Sequence, residues 1–488
     1  MEIVMVSSEV APFSKSGGLG DVTGALADAL HRAGHRVMTV SPRYGSTPTD
    51  GLIDTGEVAH AFLGQSEQSA KLLKKSGAGP THVLVEHPMF GNRSGLYGDA
   101  NGSYGDNHIR FALLQRAALQ AARTVDVGDA PLGNSPVFHI HDWQTGSLPV
   151  YLDQYYRPLG FYRKSPVVLT LHNPAHQGRL PGAFFGDLDL PARWFSPRAL
   201  EWNGDLALLK CGILRADRLT TVSPTFAWEI TTAAGGFGLD TLFRGRFAEM
   251  TGILNGIDTA VWNPADDSHL DATYDVVDPS NKAVCKAGLQ AELGLPMERD
   301  RPLVGSIGRL DPQKGVELLI ESIPWLVAQG AQVVVLGSAA AAHQKYEWQL
   351  RELENRFPDR VRAWIGFSER MAHRIEAGSD IFAMPSLFEP CGLNQMYSMR
   401  YGTIPVVRAT GGLADSVADG ETGFQFAEGN GFAFRGALHR ALARYSTDGL
   451  ATMRTAAMSL DLGWDAVVPA YEAVYTDAVE GRNRLVGT

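Results

Sequence analysis

The chain has 488 residues, with 43 Lys and Arg against 53 Asp and Glu for a formal charge of -10, and 44% hydrophobic against 20% charged residues. These proportions exclude disorder and coiled coil, and the length fits roughly three domain-sized units, read as two large α/β domains plus an appendage. The acidic balance, without a dense basic run, argues against nucleic acid and anionic membrane as partners. No apolar run reaches the ~20 residues of a membrane span. The start, MEIVMVSSEV, has neither the basic flank nor the apolar length of a signal peptide, so a cytoplasmic protein is expected. Cys211, Cys285 and Cys391 are far apart and form no CxxC pair, which implies neither a disulfide frame nor a zinc site.

In chain order, Ile3 to Val6 reads as a strand and KSGGLGD (15–21) as a loop. A helix follows with Val22, Ala25, Leu26, Ala29 and Leu30 on one stripe, then a second strand at Arg36 to Val40. The 3.6-residue period between two apolar strands makes this a βαβ unit and predicts a doubly wound parallel sheet. Strands at Val137 to Ile140, Val167 to Leu171 and Arg218 to Val222 extend it to about residue 255. The stretch LNGIDTAVWNPADD (254–267), dense in Asn, Gly, Pro and Asp, reads as a linker. A second series opens with LVGSIG from Leu303, a helix from Val316 to about Val327 interrupted by Pro324, and a strand at 333 to 337. Strands at Val361 to Ile365, Ile381 to Met384 and Ile404 to Val407 complete another doubly wound domain. Two open sheets with loops at the carboxyl ends of their strands are expected to face a ligand cleft.

Four loops carry groups suited to one kind of ligand. In 15–21, Gly17 and Gly18 can offer backbone N–H groups to an anion beside Lys15, or merely turn a strand into a helix. The spacing Gly18, Gly20, Gly24 misses the dinucleotide fingerprint. In GRLDPQKG (308–315), Arg309 and Lys314 precede a helix, and can neutralise a diphosphate without a metal or form a solvated pair. In PSLFEPCG (385–392), Glu389 can accept sugar hydroxyl bonds or cap a helix. ATGGLADS (409–416) is a second anion cradle or a second turn. HIHDWQTG (139–146) and LHNPAHQG (171–178) put His139, His141, Asp142, His172 and His176 near strand ends, which admits a metal-hydrolase alternative. Pro174 between His172 and His176 argues against ligation from one regular helix.

The segments SSEVAPFSKSGGLGDVTGALADAL, HDWQTG, LHNPAHQG, LNGIDTAVWNP, GRLDPQKG, PSLFEPCGLNQ and ATGGLADSV stand in the order and approximate spacing of a known family. The chain resembles the bacterial glycogen synthases, retaining glycosyltransferases of the glycogen and starch synthase family, over nearly its whole length. The resemblance implies an α/β fold of two Rossmann-like doubly wound domains facing a central cleft, the GT-B architecture. It places an N-terminal domain at 1–255, a nucleotide-sugar domain at 256–465 and a C-terminal helix at 466–488 returning to the first. It implies transfer of glucose from ADP-glucose to the non-reducing end of an α-1,4-glucan with retention, without metal or cofactor.

Carried over motif by motif, the resemblance assigns His172, Asp142, Arg309, Lys314 and Glu389 to catalysis, with Arg309 and Lys314 on the diphosphate. Lys15, Gly17, Gly18 and Asp21 would form the donor loop. Asn173, Asn255, Cys391, Gly392 and Leu393, with Thr410, Gly411 and Gly412, would contact substrate. Ser16 stands where the family usually has Thr, Leu387 where it has Arg, and Phe367 where a Tyr often lies near the adenine. Retention needs a nucleophile on the opposite face or front-side attack helped by the leaving phosphate, and the front-side route is expected because Glu389 is not an obvious nucleophile. A pyridoxal-dependent phosphorylase, a silent glucan-binding scaffold and the metal hydrolase are the competing readings.

Overall fold

The computed structural model describes residues 1–445, 447 and 449–487. The chain divides into two units: the first holds 1–222, 227–253 and the segment from Trp464 on, and the second holds 223–226 and 254–463.

Unit 1 is built on strands β1 (Glu2–Val6), β2 (Arg36–Pro42), β3 (Ile53–Leu63), β4 (Ser66–Lys75), β5 (Thr81–Glu86), β6 (Val137–His141), β7 (Val167–Leu171), β8 (Arg218–Thr221) and β9 (Met250–Gly252). Their order across the sheet is β9-β8-β7-β6-β1-β2-β5-β4-β3. Neighbouring strands pair in parallel except β3 with β4 and β4 with β5. Central strands such as β6 are buried along their whole length, as a sheet covered by helices on both faces requires. The antiparallel extension alternates buried and exposed residues and turns through Gly64 and Gln65, both at positive φ, the two-residue hairpin geometry that matches strand twist. Helix α1 (Gly18–Arg32) buries Val22, Leu26, Ala29 and Leu30 against β1 and β2. Gly24 lets it approach the preceding loop, since a Cβ there would lie 2.6 Å from the Ala11 carbonyl oxygen. Helix α2 (Asn107–Thr124), buried along most of its length, also packs on this sheet.

Among the described residues unit 2 has six strands, β10 (Leu303–Ile307), β11 (Gln332–Gly337), β12 (Val361–Ile365), β13 (Ile381–Met384), β14 (Ile404–Arg408) and β15 (Phe424–Phe426), in the order β12-β11-β10-β13-β14-β15 and paired in parallel. Its helices include α3 (Val316–Ala328), α4 (Glu369–Gly378), α5 (Asn394–Arg400) and α6 (Gly411–Ser416). The expected interruption at Pro324 does not occur, and α3 runs through it. The buried stripe Val316, Leu319, Ile323 and Leu326 holds the helix on the sheet, and that packing outweighs the one hydrogen bond the proline removes.

The stretch read as a linker is packed. Asn255, Ile257 and Asp267 are buried, and Trp262 is stacked between His373 and Tyr397 at 3.9 and 3.8 Å. Asp267 accepts from Tyr401 at 2.6 Å and pairs with His373 at 2.7 Å. The last helix, α7 (Trp464–Val486), belongs to unit 1, where Trp464, Val468, Tyr471, Val474, Tyr475 and Ala478 share a core with α1 and β1. Among the described residues no helix is long and apolar enough to cross a membrane.

Tyr475 is buried and its hydroxyl meets His139 Nδ1 at 2.8 Å. Tyr475→Phe is expected to lower unfolding free energy by about 1–2 kcal/mol, the cost of an orphaned buried group. Tyr475→Ala should lower it by about 3–5 kcal/mol through the cavity it leaves. Urea unfolding reads both, and equal effects would contradict this assignment of the hydrogen bond.

Candidate active site

Among the parallel strands of each sheet the order reverses at one place, between β1 and β6 in unit 1 and between β10 and β13 in unit 2. Open parallel sheets bind ligands outside the carboxyl ends of the strands at such switch points, because the two diverging loops leave a crevice there. The motif loops lie on these ends.

In unit 1, the loop after β1 carries Glu9, Lys15, Gly17, Gly18 and Asp21. Glu9 is 2% exposed, and its carboxylate accepts from the backbone N–H of Ser16, from Ser16 Oγ at 2.7 Å and from Tyr97 Oη at 2.5 Å. Burial, with the Glu9 charge beside it, raises the Tyr97 pKa well above its ordinary value. The serine at position 16 therefore keeps the hydroxyl that ties the loop down. Lys15 pairs with Asp21 at 2.8 Å. Gly17 caps α1 with extended backbone, and a Cβ built there meets nothing within 4 Å. Packing alone therefore does not require glycine at 17, whereas it does at 20 and 24, where a Cβ would press on backbone oxygens.

Beyond β6, Asp142 has φ 56° and ψ -168°, a region close to glycine-only, so its side chain is held in place at a conformational cost. Its Oδ1 accepts from the His172 backbone N–H at 2.7 Å, and the N–H of Asn173 also reaches the carboxylate. Burial pushes its pKa up to about 7 against the pull of those two N–H groups, and the charge of Glu9 adds to the rise. Asp142, His172, Asn173 and Glu9 are thus brought together. Burial lowers the pKa of His139 and of His172 to about 3, so both rings are neutral. His172 Nε2 meets His141 Nδ1 at 3.0 Å, while His176, beyond Pro174, is exposed. Among the described residues no group of three or more His, Cys, Asp or Glu is placed to hold a metal ion.

In unit 2, the ends of β10, β11 and β13 line a pocket that includes Gly308, Arg309, Lys314, Met384 and Ser386. Asp311 Oδ1 accepts the Lys314 backbone N–H, and Gly315 turns at φ 65° with room for no Cβ, which would lie 2.0 Å from the Pro385 carbonyl oxygen. Loops 308–315 and 385–392 are thereby sewn together, with Leu387 N–H on the Gln313 carbonyl at 2.8 Å and Gln313 Nε2 on the Phe388 carbonyl at 3.1 Å. Glu389, 6% exposed, binds Lys314 Nζ at 2.5 Å and Ser386 Oγ at 3.0 Å through one oxygen. It caps no helix here. Arg309 reaches out with 69% of its side chain exposed, paired to Asp311 at 3.0 Å.

Cys391, a free thiol pushed up to about pKa 12 by burial, receives the Asn255 backbone N–H, and Asn255 Oδ1 is buried with no hydrogen-bond partner among the described residues. Gly392 turns at φ 74° ahead of Leu393, the N-cap of α5. Thr410 is the N-cap of α6, and Gly411 and Gly412 pack on backbone: Cβ atoms there would lie 2.1 Å from the Glu389 carbonyl oxygen and 2.3 Å from the Cys391 carbonyl oxygen. The Gly412 N–H donates to the Glu389 and Pro390 carbonyls, which supports this segment as the turn that backs Glu389. Glu9, Tyr97 and Ser386 are not singled out by the sequence as site groups, and His141 only as a candidate metal ligand. Glu9, His141 and Ser386 lie inside motif segments, and Tyr97 has no local signal.

A model of the starch synthase catalytic domain matches residues 2–245, and one of glycosyl transferases group 1 matches 294–453. The chain is 45% identical over 482 residues to a glycogen synthase of Anaeromyxobacter sp. (strain Fw109-5), covering 97% of this chain and 99% of that one. It is 41% identical to soluble starch synthase 1 of Solanum tuberosum, covering 97% of this chain and 78% of the relative. The catalytic domain of starch synthase IV from Arabidopsis thaliana, solved bound to ADP and acarbose, superposes with a TM-score of 0.88 at 34% identity, covering 98% of this chain and 99% of that one.

Because the folded pKa of Asp142 is raised, ionising it opposes folding. The penalty is absent below the ordinary carboxylate range near pH 4, grows as pH rises, and is complete above about 7. Asp142→Asn keeps the acceptor for the two N–H groups. It should raise the melting temperature above the parent's at pH 8, with the difference closing toward pH 4. A difference independent of pH would contradict the assignment.

Proposed function

The chain belongs to the glycogen and starch synthase family of glycosyltransferases, and on that footing we propose that it transfers glucose from ADP-glucose to the non-reducing end of an α-1,4-glucan, retaining the anomeric configuration and releasing ADP. The observation that carries this reading is the pair of cations at the unit 2 switch point, one exposed on Arg309 and one held by a buried carboxylate on Lys314. Departure of ADP concentrates negative charge on the diphosphate. Preorganised cations stabilise that charge more in the transition state than in the bound donor, which lowers the barrier by several kcal/mol. Lys15 and the open space over Gly17 form the donor loop in unit 1.

His172, Asn255, Glu389, Cys391 and Gly392 surround the glucosyl unit on this reading, and Asp142 lies near the reacting centre. The Glu389 oxygen taken by Lys314 and Ser386 supports a holding role over a nucleophilic one, and hence front-side attack. A trapped glycosyl-enzyme adduct would overturn that route. Phe367, 87% exposed just beyond β12, offers a face for stacking an adenine. The three unpaired cysteines fit work in the reducing cytoplasm.

The test is incorporation of labelled glucose into glycogen from ADP-glucose and, in parallel, UDP-glucose, with a metal chelator present. Transfer from ADP-glucose despite the chelator is expected. Glycogen bound without transfer from either donor would instead identify a scaffold. Lys314→Ala should lower kcat by about 10² to 10³-fold, as for loss of one charge-stabilising donor, while leaving glycogen binding intact.

A further inference from the structure

We propose that His141 is a positioning residue that fixes the tautomer of His172, so that His172 meets the transferred sugar as an Nδ1–H hydrogen-bond donor and not as a base. The inference rests on the reading in which His172 faces the glucosyl unit.

β6 and β7 are parallel neighbours with His141 opposite Thr170, so the residue just past β7 falls beside His141. The two rings approach with His141 Nδ1 and His172 Nε2 3.0 Å apart. A bond between two neutral imidazoles contains one proton, carried by one nitrogen or the other. A second proton would make a buried cation, with the His139 ring lying 4.3 Å from that of His141. Burial opposes this, and it lowers the proton affinity of all three histidines.

The other nitrogen of His141 decides between the two arrangements. His141 Nε2 is buried and has no hydrogen-bond partner among the described residues. If His141 accepted at Nδ1, its proton would sit on Nε2 as an orphaned buried N–H, which folded proteins rarely tolerate. If His141 donates from Nδ1, the orphan is only a lone pair. His141 therefore donates, His172 Nε2 accepts, and the proton of His172 is on Nδ1. The backbone that carries the donor is fixed, because Thr145 Oγ1 accepts the His141 backbone N–H and donates to its carbonyl, both at 2.8 Å. The backbone of His172 is fixed in turn by Asp142.

The experiment is a long-range ¹H–¹⁵N correlation spectrum of the full chain labelled at histidine, at pH 7, with His172 assigned from the peak lost in His172→Gln. We expect a protonated Nδ1 and a bare Nε2. His141→Asn, whose amide can donate from nearly the same place, should keep that pattern and a kcat close to the parent's. His141→Leu should lose the pattern and lower kcat about tenfold or more with little change in KM for the donor. A His172 protonated on Nε2 in the parent would overturn the proposal, as would a His141→Leu spectrum and kcat matching the parent's. The parent and His141→Asn decide the matter even if His141→Leu fails to fold. The spectrum needs neither donor nor acceptor: Nδ1–H on His172 in a parent that transfers no glucose would overturn the functional reading and this role toward sugar, while leaving the tautomer assigned.

Discussion

A buried carboxylate beneath each cation-bearing loop is the interaction on which the site depends. Glu9 underlies loop 15–21 in unit 1, and Glu389 underlies loop 308–315 in unit 2. An ionised carboxylate out of water is costly unless its oxygens are bonded, so each one recruits the loop above it: backbone N–H and hydroxyl of Ser16 in one case, the ammonium of Lys314 in the other. The loops are thereby ordered before any ligand arrives. Ordering ahead of time is what lets fixed charge stabilise a developing diphosphate without reorganisation during the reaction.

Topology decides where those carboxylates can sit. Parallel strands deliver all their carboxyl ends to one edge, and only at a switch point do the following loops diverge and leave room. At the unit 1 edge the backbone of Asp142 is driven into a nearly glycine-only conformation so that its carboxylate receives two N–H groups from the next strand's end. At the unit 2 edge, glycines 315, 411 and 412 let three loop backbones approach too closely for any side chain. The strain and the close packing are both local to the groups assigned to chemistry, as expected where function and not stability selects the geometry.

The βαβ units were legible because central parallel strands are apolar throughout and their helices carry a 3.6-residue stripe, as α1 does with Val22, Leu26 and Leu30. The loops were legible because glycines and charges cluster between such elements. The antiparallel extension of β3 and β4 was not read, since a strand such as SEQSAKLLKK, half of it facing water, has little apolar pattern to detect. Pro324 misled because propensity is a local quantity, whereas the packing of α3 is not. The buried polar partners are harder still. Tyr97 reaches Glu9 across 88 residues and Tyr475 reaches His139 across 336, and no window of sequence contains either pair.

The claim that buried carboxylates organise the cations is tested most directly by calorimetric titration of ADP into the parent, Lys314→Met, Glu389→Gln and the double variant. Simple charge counting says that removing an anion near a diphosphate should tighten binding. Glu389→Gln should instead release Lys314 and weaken binding about tenfold, and the double variant should bind no more weakly than Lys314→Met alone because the two residues act as one unit. Glu389→Gln binding ADP as tightly as the parent, or more tightly, would contradict it.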